Sequence, residues 1–125
     1  MHVLVVEDDP EINHLLCAYA HLAGYETDSA LAGLDALAIA AARPPGLVLL
    51  DLMLPDVDGL EVYRRLRAVP ATANVPVIVL TARTASSTRE EARQLGVAEY
   101  MNKPFDPDQL IETMRKHAGG APVPG

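Results

Sequence analysis

Four places along this chain hold side chains that could do chemistry together if the fold gathers them. They are the acidic run Glu7-Asp8-Asp9, the carboxylate of Asp51, the hydroxyl of Thr81 and the ammonium of Lys103. Carboxylates a few ångströms apart repel by roughly 3 kcal/mol per pair at an effective dielectric near 20. A hard divalent cation removes that cost. Mg²⁺ commonly sits on one or two carboxylates and keeps several waters, which leaves room for a phosphate oxygen. Lys103 offers a compact positive charge to a phosphoryl oxygen, and the Thr81 hydroxyl can donate to another. An aspartate beside a metal and a lysine stays ionised and nucleophilic, so it can take a phosphoryl group as a mixed anhydride. Phosphoryl transfer asks mainly for positioning and charge neutralisation, and this set supplies both.

The elements around these residues are arranged to bring them together. Val3-Leu4-Val5-Val6, Leu47-Val48-Leu49-Leu50 and Val77-Ile78-Val79-Leu80 are continuous apolar runs, as expected of strands buried on both faces. The first ends in Glu7-Asp8-Asp9, the second in Asp51 and the third in Thr81. Tyr25 to Ser29 reads as a short polar strand at an edge, and Val97 to Met101 as a short strand just before Lys103-Pro104-Phe105. Helices fill the intervals. Asp9 caps the first with Pro10 at its first position; Ile12, Leu15, Leu16, Tyr19 and Leu22 recur along it at helical spacing, and Gly24 ends it. Gly33 to Arg43 is Ala-rich and stopped by Pro44-Pro45. Leu60 to Val69 turns Val62, Tyr63, Leu66 and Val69 inward. Ser87 to Leu95 has only Ala92 and Leu95 to bury. Asp106-Pro107-Asp108-Gln109 opens the last helix with a cap, a proline and a capping-box-like Gln. Strand and helix alternate five times, a pattern that makes a parallel sheet with helices on both faces. Right-handed crossovers then place the carboxyl ends of all strands, and with them the chemical residues, on one edge.

Composition excludes several other roles. A length of 125 residues fits one domain, and half of them are hydrophobic, enough for one core. Trp is absent and Phe occurs once, so that core is aliphatic. The net charge of −7 argues against direct nucleic-acid binding by this domain, which would need clustered Lys and Arg. The single cysteine, Cys17, makes no internal disulfide and implies no metal cage, which fits a reducing, cytoplasmic setting. No apolar run approaches a membrane span. With strand-like sequence from His2 onward, no signal peptide is expected.

Val-Val-Glu-Asp-Asp-Pro (5–10), Leu-Leu-Asp-Leu-Met-Leu-Pro-Asp-Val-Asp-Gly (49–59), Leu-Thr-Ala (80–82) and Tyr-Met-Asn-Lys-Pro-Phe (100–105) resemble the motifs of response regulator receiver domains, the CheY-like superfamily of two-component signalling. The spacings match as well: thirty residues from Asp51 to Thr81 and twenty-two from Thr81 to Lys103. The resemblance implies a receiver domain over residues 1–118, with 119–125 a flexible tail or the start of a linker. It implies a doubly wound, flavodoxin-like α/β fold whose five-stranded parallel sheet runs in the order 2-1-3-4-5 between five helices. Asp51 would accept the phosphoryl group. Asp8 and Asp51 would ligate Mg²⁺, with Mn²⁺ as a substitute, Glu7 acting through water and the Met53 backbone carbonyl completing the site. Thr81 and Lys103 would hold phosphoryl oxygens, Thr81 and Tyr100 would form the switch, and the Lys103-Pro104 peptide would be cis.

By the same resemblance the phosphoryl source is a histidine kinase or a phosphotransfer protein. The output is a domain or partner protein controlled through the face of the fourth helix, fifth strand and fifth helix. A phosphorylation-linked dimer is one option on that face. Thr113, where winged-helix subclasses commonly carry Arg, speaks against the dimer of that subclass. The domain would not be an enzyme, although it would promote its own phosphorylation and a slow autodephosphorylation, influenced by Met53 and Arg83.

The rival readings are weaker. A haloacid-dehalogenase-type phosphatase needs a second Asp two residues after the nucleophile, and a Toprim-like domain needs Asp-x-Asp; Met53 breaks both patterns. An interaction module with a receiver fold and no phosphorylation is expected to have lost the acceptor, a metal ligand or the lysine, all kept here. Asp56-Val57-Asp58-Gly59 fails as a calcium loop, since Leu54 and Arg65 would fall at its first and twelfth positions. Cys17 and Met114 read as core residues, and His14 and His21 as solvated helix positions.

Overall fold

In the computed structural model the chain alternates strand and helix as β1 (His2–Val6), α1 (Pro10–Leu22), β2 (Glu26–Ala30), α2 (Gly33–Ala42), β3 (Leu47–Leu50), α3 (Gly59–Ala68), β4 (Val77–Thr81), α4 (Ser86–Leu95), β5 (Glu99–Asn102) and α5 (Pro107–His117). The structure describes residues 2–82 and 86–118, so the expected tail and Arg83 lie outside the described residues. All pairings are parallel and the strand order is β2-β1-β3-β4-β5. This is the doubly wound, flavodoxin-like sheet with five helices.

The continuous apolar runs are explained by the two cores they serve. Val3, Val5, Leu47, Leu49, Ile78 and Leu80 face Leu16 and Ala20 of α1 and Leu110 and Met114 of α5. The alternate residues Leu4, Val6, Val48, Leu50, Val77 and Val79 face Ala36 and Ala40 of α2, Val62, Tyr63 and Leu66 of α3, and Ala92 of α4. Each of these positions is buried. Burial of a Val, Leu or Ile side chain contributes about 1.5–3 kcal/mol, so both faces of the central strands drive the sheet into the interior.

The helix starts follow the caps that their sequences carry. Asp9 Oδ1 accepts the N–H groups of Glu11 and Ile12 at 2.9 and 3.2 Å, ahead of Pro10. Asp58 Oδ1 accepts Leu60 N–H at 2.8 Å, and Asp106 Oδ1 accepts Asp108 N–H at 3.0 Å. Gly24, with φ of 95°, takes the left-handed conformation that ends α1 at low steric cost.

Several details depart from the sequence expectations. In α1 the buried stripe is Asn13, Leu16 and Ala20, while Leu15 is 42% and Leu22 74% exposed. Apolar spacing is broader than the strip that the sheet covers. Val69 does not turn inward; it follows the last residue of α3 as an extended cap and is 47% exposed. Cys17 is only half-buried. The edge strands begin later than expected, at Glu26 and Glu99, because pairing with β1 and β4 sets their limits. Met114 is buried, and His14 and His21 are exposed.

Candidate phosphoryl-acceptor and metal site

Register places the chemical residues side by side. Val6 pairs with Leu50, so Glu7 and Asp51 are the next residues of neighbouring strands, and Asp51 N–H donates to the Val6 carbonyl at 2.9 Å. Thr81 pairs with Asn102, and the next residue, Lys103, donates its backbone N–H to the Thr81 carbonyl at 2.9 Å. β1, β3, β4 and β5 thus deliver Glu7, Asp51, Thr81 and Lys103 to one edge.

Lys103 Nζ donates to Asp51 Oδ2 at 3.0 Å and to Glu7 Oε1. The other Asp51 oxygen accepts Met53 N–H at 3.1 Å, and Glu7 Oε2 accepts Asp9 N–H at 3.1 Å. Glu7, Asp51 and Thr81 are buried, whereas Asp8 is exposed at the rim. The Lys103-Pro104 peptide is cis. The Met53 N–H sits at the Asp51 carboxylate, while the residue as a whole is 53% exposed. Tyr100 is half-buried on β5, with the Arg89 guanidinium 5.1 Å from its ring centre.

Burial pushes the Glu7 carboxyl above its ordinary value. The hydrogen bonds from Lys103 and from Asp9 N–H pull the other way, and the charge of Asp51 adds to the rise. For Lys103, burial works to lower the pKa, but the hydrogen bonds to Glu7 and Asp51 overcome it and the ammonium is held above its ordinary value. The cluster is therefore short of positive charge. Three carboxylates face one ammonium, which leaves two negative charges uncompensated when all are ionised. One oxygen from each of Glu7, Asp8 and Asp51 lies within 4.8 Å of the others. An all-oxygen donor set with that charge deficit fits a hard divalent cation such as Mg²⁺.

Sequence reasoning missed Asn13. Its buried amide donates to the Glu7 and Ala30 carbonyls, both at 3.1 Å, and accepts from Cys17 Sγ at 3.6 Å. It ties α1 to the ends of β1 and β2, and so to the backbone that carries Glu7. A polar residue on the same stripe as Leu16 and Ala20 was the available signal.

Residues 3–115 match the response regulator receiver domain family. The chain is 37% identical over 113 residues to the DNA-binding dual master transcriptional regulator RpaA of Synechocystis sp., covering 90% of this chain and 47% of that protein. It is 36% identical over 119 residues to the polar-differentiation response regulator DivK of Brucella ovis, covering 95% of this chain and 97% of that protein. The chain thus spans about half the length of RpaA and nearly all of DivK. Among solved structures, the BeF3-activated N-terminal receiver domain of RstA from Klebsiella pneumoniae superposes with a TM-score of 0.87 at 30% identity, covering 95% of this chain and 99% of that one. Fold, strand order and sequence agree that this chain belongs to the response regulator receiver domains of two-component signalling.

Proposed function

We propose that this receiver accepts a phosphoryl group on Asp51. The observation that carries the reading is Asp51 itself: a buried carboxylate at the end of β3, with Lys103 Nζ 3.0 Å from one oxygen and the Met53 N–H 3.1 Å from the other. The donor is a phosphohistidine on a histidine kinase or phosphotransfer protein, in the cytoplasm. An Asp51 oxygen bonds to phosphorus as the phosphorus–nitrogen bond to the donor imidazole breaks, and the bonding pair returns to that nitrogen. Lys103 and Thr81 then hold phosphoryl oxygens.

Asp8 and Asp51 would hold Mg²⁺ directly, with Glu7 through water and the Met53 carbonyl completing the set. The ion would supply charge neutralisation for the crowded oxygens. The phosphorylated state would act through α4, β5 and α5 on an output domain or partner, with Thr81 and Tyr100 as the switch pair. Loss of the phosphoryl group without a partner would be slow, because the exposed thioether of Met53 orients no water. Arg83, the other flanking position, lies outside the described residues.

Incubation with a small phosphodonor and Mg²⁺, followed by intact mass, tests this directly. One phosphoryl adduct is expected on the wild type and none on Asp51→Asn, with the fold of the variant intact by circular dichroism. A full-strength adduct on Asp51→Asn would remove the assignment.

A further inference from the structure

The loop between β3 and α3 lies at the mouth of the site, where Leu52 to Asp58 and Asp8 line an open cavity. Its near end is fixed to the acceptor, since Met53 N–H donates to Asp51 Oδ1. Its far end is fixed where Gly59 N–H donates to the Leu52 carbonyl at 3.0 Å. The middle of the loop is held from another element. α2 begins at Gly33 and its cap residue, Ala32, has no side-chain acceptor to offer. Asp56 takes that place from 23 residues away: its Oδ1 accepts Gly33 N–H and its Oδ2 accepts Leu34 N–H, both at 2.8 Å. Oδ1 also accepts Val57 N–H at 2.9 Å, which fixes the carboxylate to its own loop. Hydrogen bonds to an ionised acceptor are the stronger kind. The N–H groups of Leu34 and Gly33 are also the leading causes that hold the Asp56 carboxyl below its ordinary range. The contact is close as well as polar. A Cβ at Gly33 would lie 2.4 Å from Val57 Cγ2 and 2.8 Å from Val62 Cγ2.

We propose that Asp56 is a positioning residue for the acceptor site: by clamping the middle of the β3–α3 loop onto the first turn of α2, it fixes the Met53 backbone beside Asp51 and so sets the affinity of the acidic cluster for Mg²⁺. This rests on the proposed role of that cluster. The Asp56 carboxylate accepts from Gly33, Leu34 and Val57, not from the groups of the acidic cluster. It acts through the loop, as groups behind a metal site act through the ligands they orient. Asparagine is not a conservative replacement. It keeps one acceptor oxygen and turns an NH₂ group toward an N–H that needs an acceptor.

The test compares Mg²⁺ titrations of the wild type, Asp56→Asn, Asp56→Ala and Thr72→Val, read by thermal melting and by the rate of adduct formation with a small phosphodonor. Thr72 is the control for plain destabilisation. It is buried at the opposite end of α3, where its Oγ1 donates to the Leu66 carbonyl at 2.5 Å. In both Asp56 variants the Mg²⁺ concentration at half-effect should rise about tenfold. The rate at saturating Mg²⁺ should return to within about twofold of wild type, as expected when affinity alone is lost. Thr72→Val should melt earlier with its Mg²⁺ half-effect unchanged. If the Asp56 variants melt earlier but bind Mg²⁺ as the wild type does, Asp56 is a helix cap only and the proposal fails. If the wild type itself shows no Mg²⁺ effect in either readout, the metal-site reading fails and this inference with it.

Discussion

Lys103 bonds two carboxylates with one ammonium, while Asp8 stands at the rim of the same cluster. At separations within 4.8 Å, each pair of carboxylate charges repels by roughly 3 kcal/mol at an effective dielectric near 20. The metal-free protein therefore carries repulsion that a cation would relieve. Asp8→Ala should raise the melting temperature in EDTA and abolish the upward shift that Mg²⁺ is expected to give the wild type. That shift corresponds to about 1.4 kcal/mol at a tenfold excess over Kd. Thermal melts of both proteins with and without Mg²⁺ check it, and a wild type indifferent to Mg²⁺ would contradict it. That Glu7, Asp8, Asp51, Thr81 and Lys103 meet at one edge was legible in the sequence, because each stands at or just beyond a strand end and strand ends converge in a parallel sheet. The contacts of Asn13, Asp56 and the Tyr63 hydroxyl were not. Their partners are backbone groups 17, 23 and 32 residues away, and no linear pattern encodes a carbonyl or an N–H.

The elements of the site meet with little spare room, most tightly where α3 starts. A Cβ at Gly59 would lie 2.5 Å from Leu52 Cα and 2.6 Å from the Asp51 carbonyl oxygen. Both neighbours are backbone and cannot turn aside. Gly59→Ala should therefore cost about 1–3 kcal/mol, the range for overpacking, and should slow adduct formation because the displaced segment carries Asp51, the proposed acceptor. Urea denaturation and the phosphodonor assay measure the two effects, and full activity with full stability would contradict the contact. At the far side of the sheet, α5 is fastened to β5 by Glu99, whose Oε1 meets His117 Nε2 at 3.1 Å and Lys116 Nζ at 3.4 Å. The hydrogen bond from His117 is the main cause holding the Glu99 carboxyl below its ordinary 4.5, with Lys116 adding to it. A depressed folded-state pKa contributes stability above 4.5 and loses it as pH falls through the depressed value. The pair is partly exposed, so the contribution is about 0.5 kcal/mol. Glu99→Gln should be less stable than wild type by that amount at neutral pH, and the gap should close in acid; urea melts across the range decide it. Strand and helix order were readable from apolar runs and caps. The exposure of Leu15, Leu22 and Val69 was not, since helical spacing does not state how wide a strip the neighbouring sheet will cover.

Over the whole molecule, the helices that flank the sheet are held unequally. α1, α3 and α5 each bury at least one large apolar side chain, such as Leu16, Tyr63 or Leu110, while the only buried residue in α4 is Ala92. The helix is fastened at its carboxyl end, where the Tyr63 hydroxyl donates to the Leu95 carbonyl at 2.9 Å. Nearer its start the described contacts are surface ones: Arg89 reaches Asn102 at 3.0 Å and lies over the Tyr100 ring. Such contacts are worth little and cost little to exchange. Thr81, at the end of β4, and Tyr100, on β5, both adjoin this region. A phosphoryl oxygen that Thr81 contacts only in the phosphorylated state would favour an alternative arrangement of α4 and β5 by the strength of that one contact. Hydrogen exchange with and without beryllium fluoride should therefore change mainly between Thr81 and Phe105, with the pivot near Leu95 changing least within α4. Thr81→Ala should reduce these changes while Asp51 still takes the phosphoryl group. Exchange changes confined to α1 and α2 would place the switch at the β2 edge of the sheet and contradict the weak seating of α4 as its cause.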